Sequence, residues 1–167
     1  NMTALKSIDY SAYHNTIGQA HVQAANEALE TILGSNTTRT YINVISAGSS
    51  TKIKNIKTGA GNDLVDFQKT QENNVSVELG AGNDEIRLQS ALTANKKFEI
   101  SGGAGNDKFI LGAAKTDANA SKYVTITDIA RGDKIDLGTA TAFEKYTATN
   151  LDSEATLKDA INKVLTS

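Results

Sequence analysis

Cysteine and proline are both missing from this chain. Without cysteine there is no disulfide, no thiolate metal site and no thiol nucleophile. Aromatic residues are only 5% of the total, so a thick aromatic core is excluded. A thin core remains open to it, built from short apolar side chains stacked in layers. Neither sign of charge dominates: 17 Lys and Arg against 19 Asp and Glu leave a net −2. That balance excludes a strongly basic nucleic-acid binder and a polybasic membrane-surface domain on bulk charge. No run of about 20 apolar residues is present, so no helix is expected to span a membrane. Asn1 to Ser11 lack the charged start and apolar block of a signal peptide. The chain opens on Asn1 rather than Met, which reads as a fragment cut from a longer protein. Its 167 residues suit one domain, on a usual size of roughly 100–200 residues.

What the chain does contain is a repeat. Gly-Ala-Gly-Asn-Asp occurs at Gly59–Asp63, Gly80–Asp84 and Gly103–Asp107. The flanks repeat with it. Two and four residues after each Asp the side chain is apolar: Val65 and Phe67, Ile86 and Leu88, Phe109 and Leu111. Three residues before each first Gly stand Ile56, Val77 and Ile100. Five before stand Val75 and Phe98, but Lys54 in the first copy. A period of two on both sides of a Gly-rich turn predicts strand, turn, strand. A fourth, degenerate copy aligns Asp133 with Asp107, placing Ile135 and Leu137 after the turn and Val124 and Ile126 before it. Its turn runs Asp128-Ile129-Ala130-Arg131-Gly132-Asp133, with Asp128 at the first position.

The aspartates Asp63, Asp84, Asp107 and Asp133 are 21, 23 and 26 residues apart. All the variation lies in Lys69–Asn74, Ser90–Lys96 and Gly112–Ser121. Insertions confined to one face are the mark of a solenoid. Each coil is expected to hold two short parallel strands, one tight Asp turn and one looser loop on the opposite side. Tyr41–Ile45 and Lys52–Lys57 fit an earlier coil, whose turn at Ser46–Thr51 lies on the loop side and carries no acid.

Stacked coils lie about 4.8 Å apart, which brings the four aspartates into one column. Unit charges at that spacing repel by about 0.9 kcal/mol in water, and by several-fold more at the effective dielectric near a protein surface. An acidic column is therefore poor structure unless cations lie between the rungs. Gly-x-Gly turns let carbonyls curl inward at backbone angles that other residues resist. Carbonyls and carboxylates are hard oxygen ligands, and Ca²⁺ takes about 6–8 of them. Mg²⁺ keeps its waters, and Zn²⁺ prefers nitrogen and sulfur. Three Ca²⁺ sites are expected, one between each successive pair of turns.

These turns resemble the calcium-binding nonapeptide of RTX (repeats-in-toxin) proteins, Gly-Gly-x-Gly-x-Asp-x-U-x with U apolar. Gly102 to Ile110 matches it at every position, and Thr58–Asp66 and Leu79–Arg87 match except at the first Gly. The resemblance covers about residues 54–137, half the chain. It implies a mainly β, right-handed parallel β-roll over residues 41–138. By the same resemblance, Asp63, Asp84, Asp107 and Asp133 are the carboxylate ligands. Gly59, Gly61, Gly80, Gly82, Gly103 and Gly105, with the alanines between them, are carbonyl donors. Asp128, from its own place at the first position of the fourth turn, is expected to cap that turn onto the third site. RTX rolls usually carry nonapeptides in tandem on both sides; here one side alone carries them. That is closer to the interrupted solenoids of bacterial surface-layer (S-layer) proteins and large secreted adhesins.

The implied function is a non-enzymatic structural module of a secreted bacterial surface protein, exported by a type I system and folding on extracellular calcium. Self-association in a surface lattice, and contact with cell-surface polysaccharide through the parent protein, are the implied partnerships. The alternatives are the C-terminal secretion domain of an RTX hydrolase or toxin, and an adhesin or ice-binding module. A flat row of outward Thr would favour ice binding, and the strands before the turns show none.

The flanks read as helical. Ala25, Ala28, Leu29, Ile32 and Leu33 make an apolar stripe at helical spacing within Gly18–Leu33, stopped by Gly34, so residues 1–40 are expected to be a helical segment. Leu157, Ile161, Val164 and Leu165 share one face of a second helix, capped by Asp152 or Ser153, in a C-terminal segment 139–167. Each helix is expected to cover an end or flank of the roll, or to contact a neighbouring subunit. Asp66 has outward parity and Asp136 lies on a strand, and both are expected to be solvated. His14 and His21 are seven apart with no third ligand in view. Gly59-x-Gly61 resembles the start of a dinucleotide fingerprint but lacks the third Gly and has Asp63 where a phosphate would be repelled. No nucleophile–base order, paired-carboxylate cleft or zinc-helix motif is present.

Overall fold

In the computed structural model, residues 5–13, 20–23, 28–45, 50–90, 95–111 and 123–138 are described. Two parallel sheets face each other, and each coil of the chain supplies one strand to each. The first sheet runs β1 (Ser7–Asp9), β3 (Thr31–Leu33), β6 (Asn55–Ala60), β9 (Val75–Ala81), β11 (Lys97–Ser101), β13 (Tyr123–Ile126). The second runs β2 (Ala20–Gln23), β4 (Thr40–Val44), β7 (Leu64–Phe67), β10 (Glu85–Leu88), β12 (Lys108–Ile110), β14 (Lys134–Asp136). A short pair, β5 (Ser50–Thr51) with β8 (Thr70–Gln71), lies in the loops. The architecture is a parallel β-solenoid, as the repeat predicts.

Register follows from the period-two pattern, because a slip by one residue would turn every apolar side chain outward. Ile8, Ile32, Ile56, Val77, Ile100 and Ile126 align across the first sheet. Val22, Ile42, Val65, Ile86, Phe109 and Ile135 align across the second. The central members of both rows are buried. Behind them, Phe67 meets Phe98 edge to face, with ring centroids 4.9 Å apart. This is the thin, layered core that a chain poor in aromatics can build.

One expectation is overturned. Within Gly18–Leu33, residues Ala20–Gln23 and Thr31–Leu33 are strands, not a helix. The same apolar residues serve both readings: Ile32 sits in the isoleucine row between Ile8 and Ile56, and Leu29 is buried behind it. Neighbouring rungs offer these strands a hydrogen-bond ladder and a buried face, and such context outweighs a short helical stripe. The roll therefore starts at Ser7, well before residue 41. The helix expected near residues 152–165 lies outside the described residues, as does His14. Among the described residues, no helix is long and apolar enough to cross a membrane.

Candidate cation column at the stacked turns

Each Asp turn is closed by glycines in the left-handed region, where L side chains are strained. Gly82 has φ 139° and its equivalent Gly105 has φ 142°. A Cβ on Gly82 would collide with the carbonyl oxygen of Gly61 on the rung below. The turns thus stack backbone on backbone, with glycine carbonyls aimed along the stack. The rungs are also stitched by Gly61 N–H to Ala81 O, Gly82 N–H to Ala104 O, and Ala104 N–H to Gly80 O, each 2.8 Å. A carbonyl has two lone pairs, so each bonded oxygen retains a second acceptor site.

Two side-chain ladders run along this stack in opposite senses. In the inner one, each aspartate reaches back to the preceding rung. Asp63 N–H donates to Asp84 Oδ1 at 2.7 Å, Asp84 N–H to Asp107 Oδ1 at 2.9 Å, and Asp107 N–H to Asp133 Oδ1 at 2.9 Å. In the outer one, each asparagine reaches forward: Asn83 N–H donates to Asn62 Oδ1 and Asn106 N–H to Asn83 Oδ1, both at 2.8 Å. The Asn-Asp pair of the repeat therefore clamps each rung to both neighbours. The asparagines are exposed, but Asp63 and Asp84 are only 2% exposed and Asp107 only 1%.

Burial leaves one oxygen of each carboxylate without a partner. Oδ2 of Asp63, Asp84 and Asp107 is buried and accepts no hydrogen bond. Asp107 Oδ2 lies inside its turn, where a Cβ on Gly102 would collide with it. Desolvation pushes the Asp63 carboxyl up to about 6, against the Thr40 N–H hydrogen bond, the nearby Thr58 hydroxyl and Gly59 N–H, neither of which meets Oδ2 in hydrogen-bond geometry, and the Arg39 charge. It pushes Asp84 up to about 7, against the hydrogen bond from Asp63 N–H, and the flanking Asp63 and Asp107 charges raise it further. Asp107 is also raised by burial, with Asp133 and Asp128 adding to it and Asp84 N–H opposing. A buried, unpartnered polar atom is rare in folded proteins and calls for a cause. Three such carboxyl oxygens repeat rung by rung.

Asp133 and Asp128 behave differently. Asp133 is half-buried and both its oxygens are used, Oδ2 by Ala130 N–H at 2.7 Å. Asp128 is brought to the third turn, where it accepts Gly102 N–H and Gly103 N–H at 2.9 Å each and Ser101 Oγ–H at 2.6 Å. Paired backbone N–H groups make a nest for an anion, so Asp128 closes the start of that turn.

The donor set fits a hard cation. Among the described residues no three His, Cys, Asp or Glu side chains come together. A metal here would be held by one carboxylate oxygen per turn and by backbone carbonyls, as Ca²⁺ accepts. The residues that would hold it are Asp63, Asp84, Asp107 and Asp133 with the glycines and alanines of their turns. It would supply positive charge to the unpartnered oxygens and tie one turn to the next.

The sequence reading missed a fifth rung. Thr40 N–H donates to Asp63 Oδ1 at 2.6 Å, so Thr40 occupies the aspartate position of an earlier turn. A Cβ on Gly59 would collide with Ser35 O, so that turn stacks on the first Gly-Ala-Gly-Asn-Asp. The signal was present: Ile42 and Val44 follow Thr40 at the offsets at which apolar residues follow each Asp. Asp66 also departs from expectation. Its parity is outward, yet it is 2% exposed, because the Gln68 and Gln89 amides fold over it. His21 lies in strand β2. No family model, curated protein or solved structure matches the chain.

Proposed function

We propose that the chain is a calcium-binding structural module whose roll is held together by ions between its Asp turns. The observation that carries this reading is the row of buried Oδ2 atoms on Asp63, Asp84 and Asp107, none with a hydrogen-bond donor. Three unpartnered oxygens answer to three gaps between four successive turns. The resemblance of the turns to RTX nonapeptides supports Ca²⁺ as the ion and, with the one-sided repeat, a secreted bacterial surface protein of the S-layer type as the parent. In that setting the module does no catalysis. It stays loosely folded where calcium is scarce, folds outside the cell, and lends a rigid unit to a self-associating surface layer. The C-terminal domain of an RTX hydrolase or toxin, or an adhesin module, shares the same calcium chemistry and differs in what precedes it.

Metal binding and folding are one equilibrium when the site exists only in the folded chain. Each site at about a hundredfold excess of calcium over its dissociation constant adds about 2.7 kcal/mol to folded-state stability. Thermal melts and far-ultraviolet circular dichroism of the 167-residue chain, with millimolar Ca²⁺ and with chelator, test this. The expected result is a large rise in melting temperature and in β signal with calcium. Identical melts in both conditions would overturn it.

A further inference from the structure

We propose an anion-binding groove on the outward face of the first sheet, at the end of β6, β9 and β11 that lies away from the Asp turns. Its ligand is a small oxyanion flanked by hydroxyl groups, the chemistry of a sugar acid or a sugar phosphate. Ile56, Val77 and Ile100 point into the core, so Asn55, Ser76 and Glu99 beside them point outward, and the strand register sets these three in one row. A groove of about 510 Å³ runs over this row. That is within the size of small-molecule sites, roughly 300–1,000 Å³. It crosses three rungs, from Lys54 beside β6 to Lys96 and Lys97 at the start of β11.

The charge in this groove is unbalanced. Lys54 is offset by Glu30, 2.7 Å away. Lys96 and Lys97 are half-buried and have no ion pair among the described residues. Lysine is mostly exposed in folded proteins and its ammonium is strongly hydrated, so two consecutive half-buried lysines without an acid are unusual. Glu99 is the one acid on the groove wall, and it is exposed. Two ammonium groups against one carboxylate leave the groove positive, on a chain whose net charge is −2.

The neutral part of the wall presents donors. Asn74 Oδ1 accepts Lys97 N–H at 3.2 Å, which leaves the Asn74 N–H₂ for a ligand. The side chains of Asn55 and Ser76 make no hydrogen bond among the described residues. Asn73 is already used, since its N–H₂ donates to Lys52 O at 2.8 Å. Amides and a hydroxyl match sugar hydroxyls, and two ammonium groups match an oxyanion as point charges. A metal cation is repelled by the same ammonium groups. An apolar ligand finds no surface, because Val75 is the single apolar residue of the wall and is itself buried in the core.

Nuclear magnetic resonance titration of the full chain in millimolar Ca²⁺ tests the proposal, with glucuronate, glucose 6-phosphate, glucose and sulfate as probes. The two charged sugars should shift the amide signals of Asn55, Asn74, Ser76 and Lys97 saturably. Glucose and sulfate each carry half of the chemistry and should bind about fivefold more weakly or worse. Lys96→Gln and Lys97→Gln should each weaken the charged sugars about threefold to fivefold, the scale of one ion pair near the surface, and Glu99→Gln should tighten them. Lys57→Gln lies on the same face but pairs with Glu78 at 2.8 Å, outside the groove, and should change nothing. Glucose binding as tightly as glucuronate, binding unchanged by both groove lysine substitutions, or an equal loss in Lys57→Gln would overturn the site. So would shifts confined to the Asp turns, the mark of competition for calcium. The tighter of the two charged sugars identifies the oxyanion. Calcium is constant across all arms, so the groove and the turn column can fail separately.

Discussion

At the scale of single residues, the aspartates carry two roles on two oxygens. Oδ1 is a structural acceptor for the rung before it, and Oδ2 of Asp63, Asp84 and Asp107 is left without a donor, which is the place the proposed cation would take. Replacing Asp84 by Asn keeps an acceptor of the same shape and removes the charge, which separates the roles. In calcium, Asp84→Asn should lose on the order of 2 kcal/mol, within the range of substitutions that break a buried polar network. In chelator the order should invert, with Asp84→Asn melting above wild type because a buried charge has gone. Paired melts in the two conditions read this directly.

The same burial sets a pH dependence with a definite sign. Asp63 and Asp84 titrate near 6 and 7 in the folded protein, above their ordinary value of 3.8. The folded state therefore binds protons more tightly than the unfolded chain. Their contribution to the calcium-free fold is full below pH 3.8 and is lost as pH rises through 6 to 7. Calcium-stripped protein should melt higher at pH 5 than at pH 8. Protons and calcium compete for the same oxygens, so apparent calcium affinity should weaken over the same interval as pH falls.

At the scale of elements, the strands are specified by period-two patterning and the turns by glycine. Gly82→Ala would force an L residue into φ 139° and press its Cβ onto Gly61 O. A loss of about 1–3 kcal/mol is expected, measurable by denaturant unfolding in calcium. Ala81→Gly adds no such clash and should cost less. In the core, Ile100→Ala opens a cavity in the middle of the isoleucine row, between Val77 and Ile126, and should cost about 2–5 kcal/mol. The strands β2 and β3 show the limit of element-level reading. Apolar residues spaced for a helix also fit a solenoid rung once a neighbouring strand accepts Ile32.

At the scale of the whole molecule, a solenoid is nearly one-dimensional, and each coil leans only on the next. Stability should then be graded. Hydrogen exchange in calcium should protect β6, β7, β9 and β10 most, since each has a partner strand on both sides. The end strands β1, β2, β13 and β14 have one partner each among the described residues and should exchange first. Titrating calcium away should extend exchange from the ends inward. Uniform exchange across all coils would mean that the roll opens as a single unit.

Sequence by itself determined the roll and the column. Three copies of Gly-Ala-Gly-Asn-Asp, with apolar residues at fixed offsets, leave one way to stack the coils with Ile56, Val77 and Ile100 inside, and that stacking aligns the aspartates. What it did not contain was the depth of each polar group. Repeat spacing fixes which residues share a rung, but burial depends on what the neighbouring rungs and loops fold across. The unpartnered Oδ2 atoms, the cover of Gln68 and Gln89 over Asp66, and the place of Thr40 at the head of the aspartate ladder exist only once the coils are stacked. The Gln89 cover and the Thr40 contact each join residues 23 positions apart, where a hydrogen bond or a missing one is a property of contact rather than of composition.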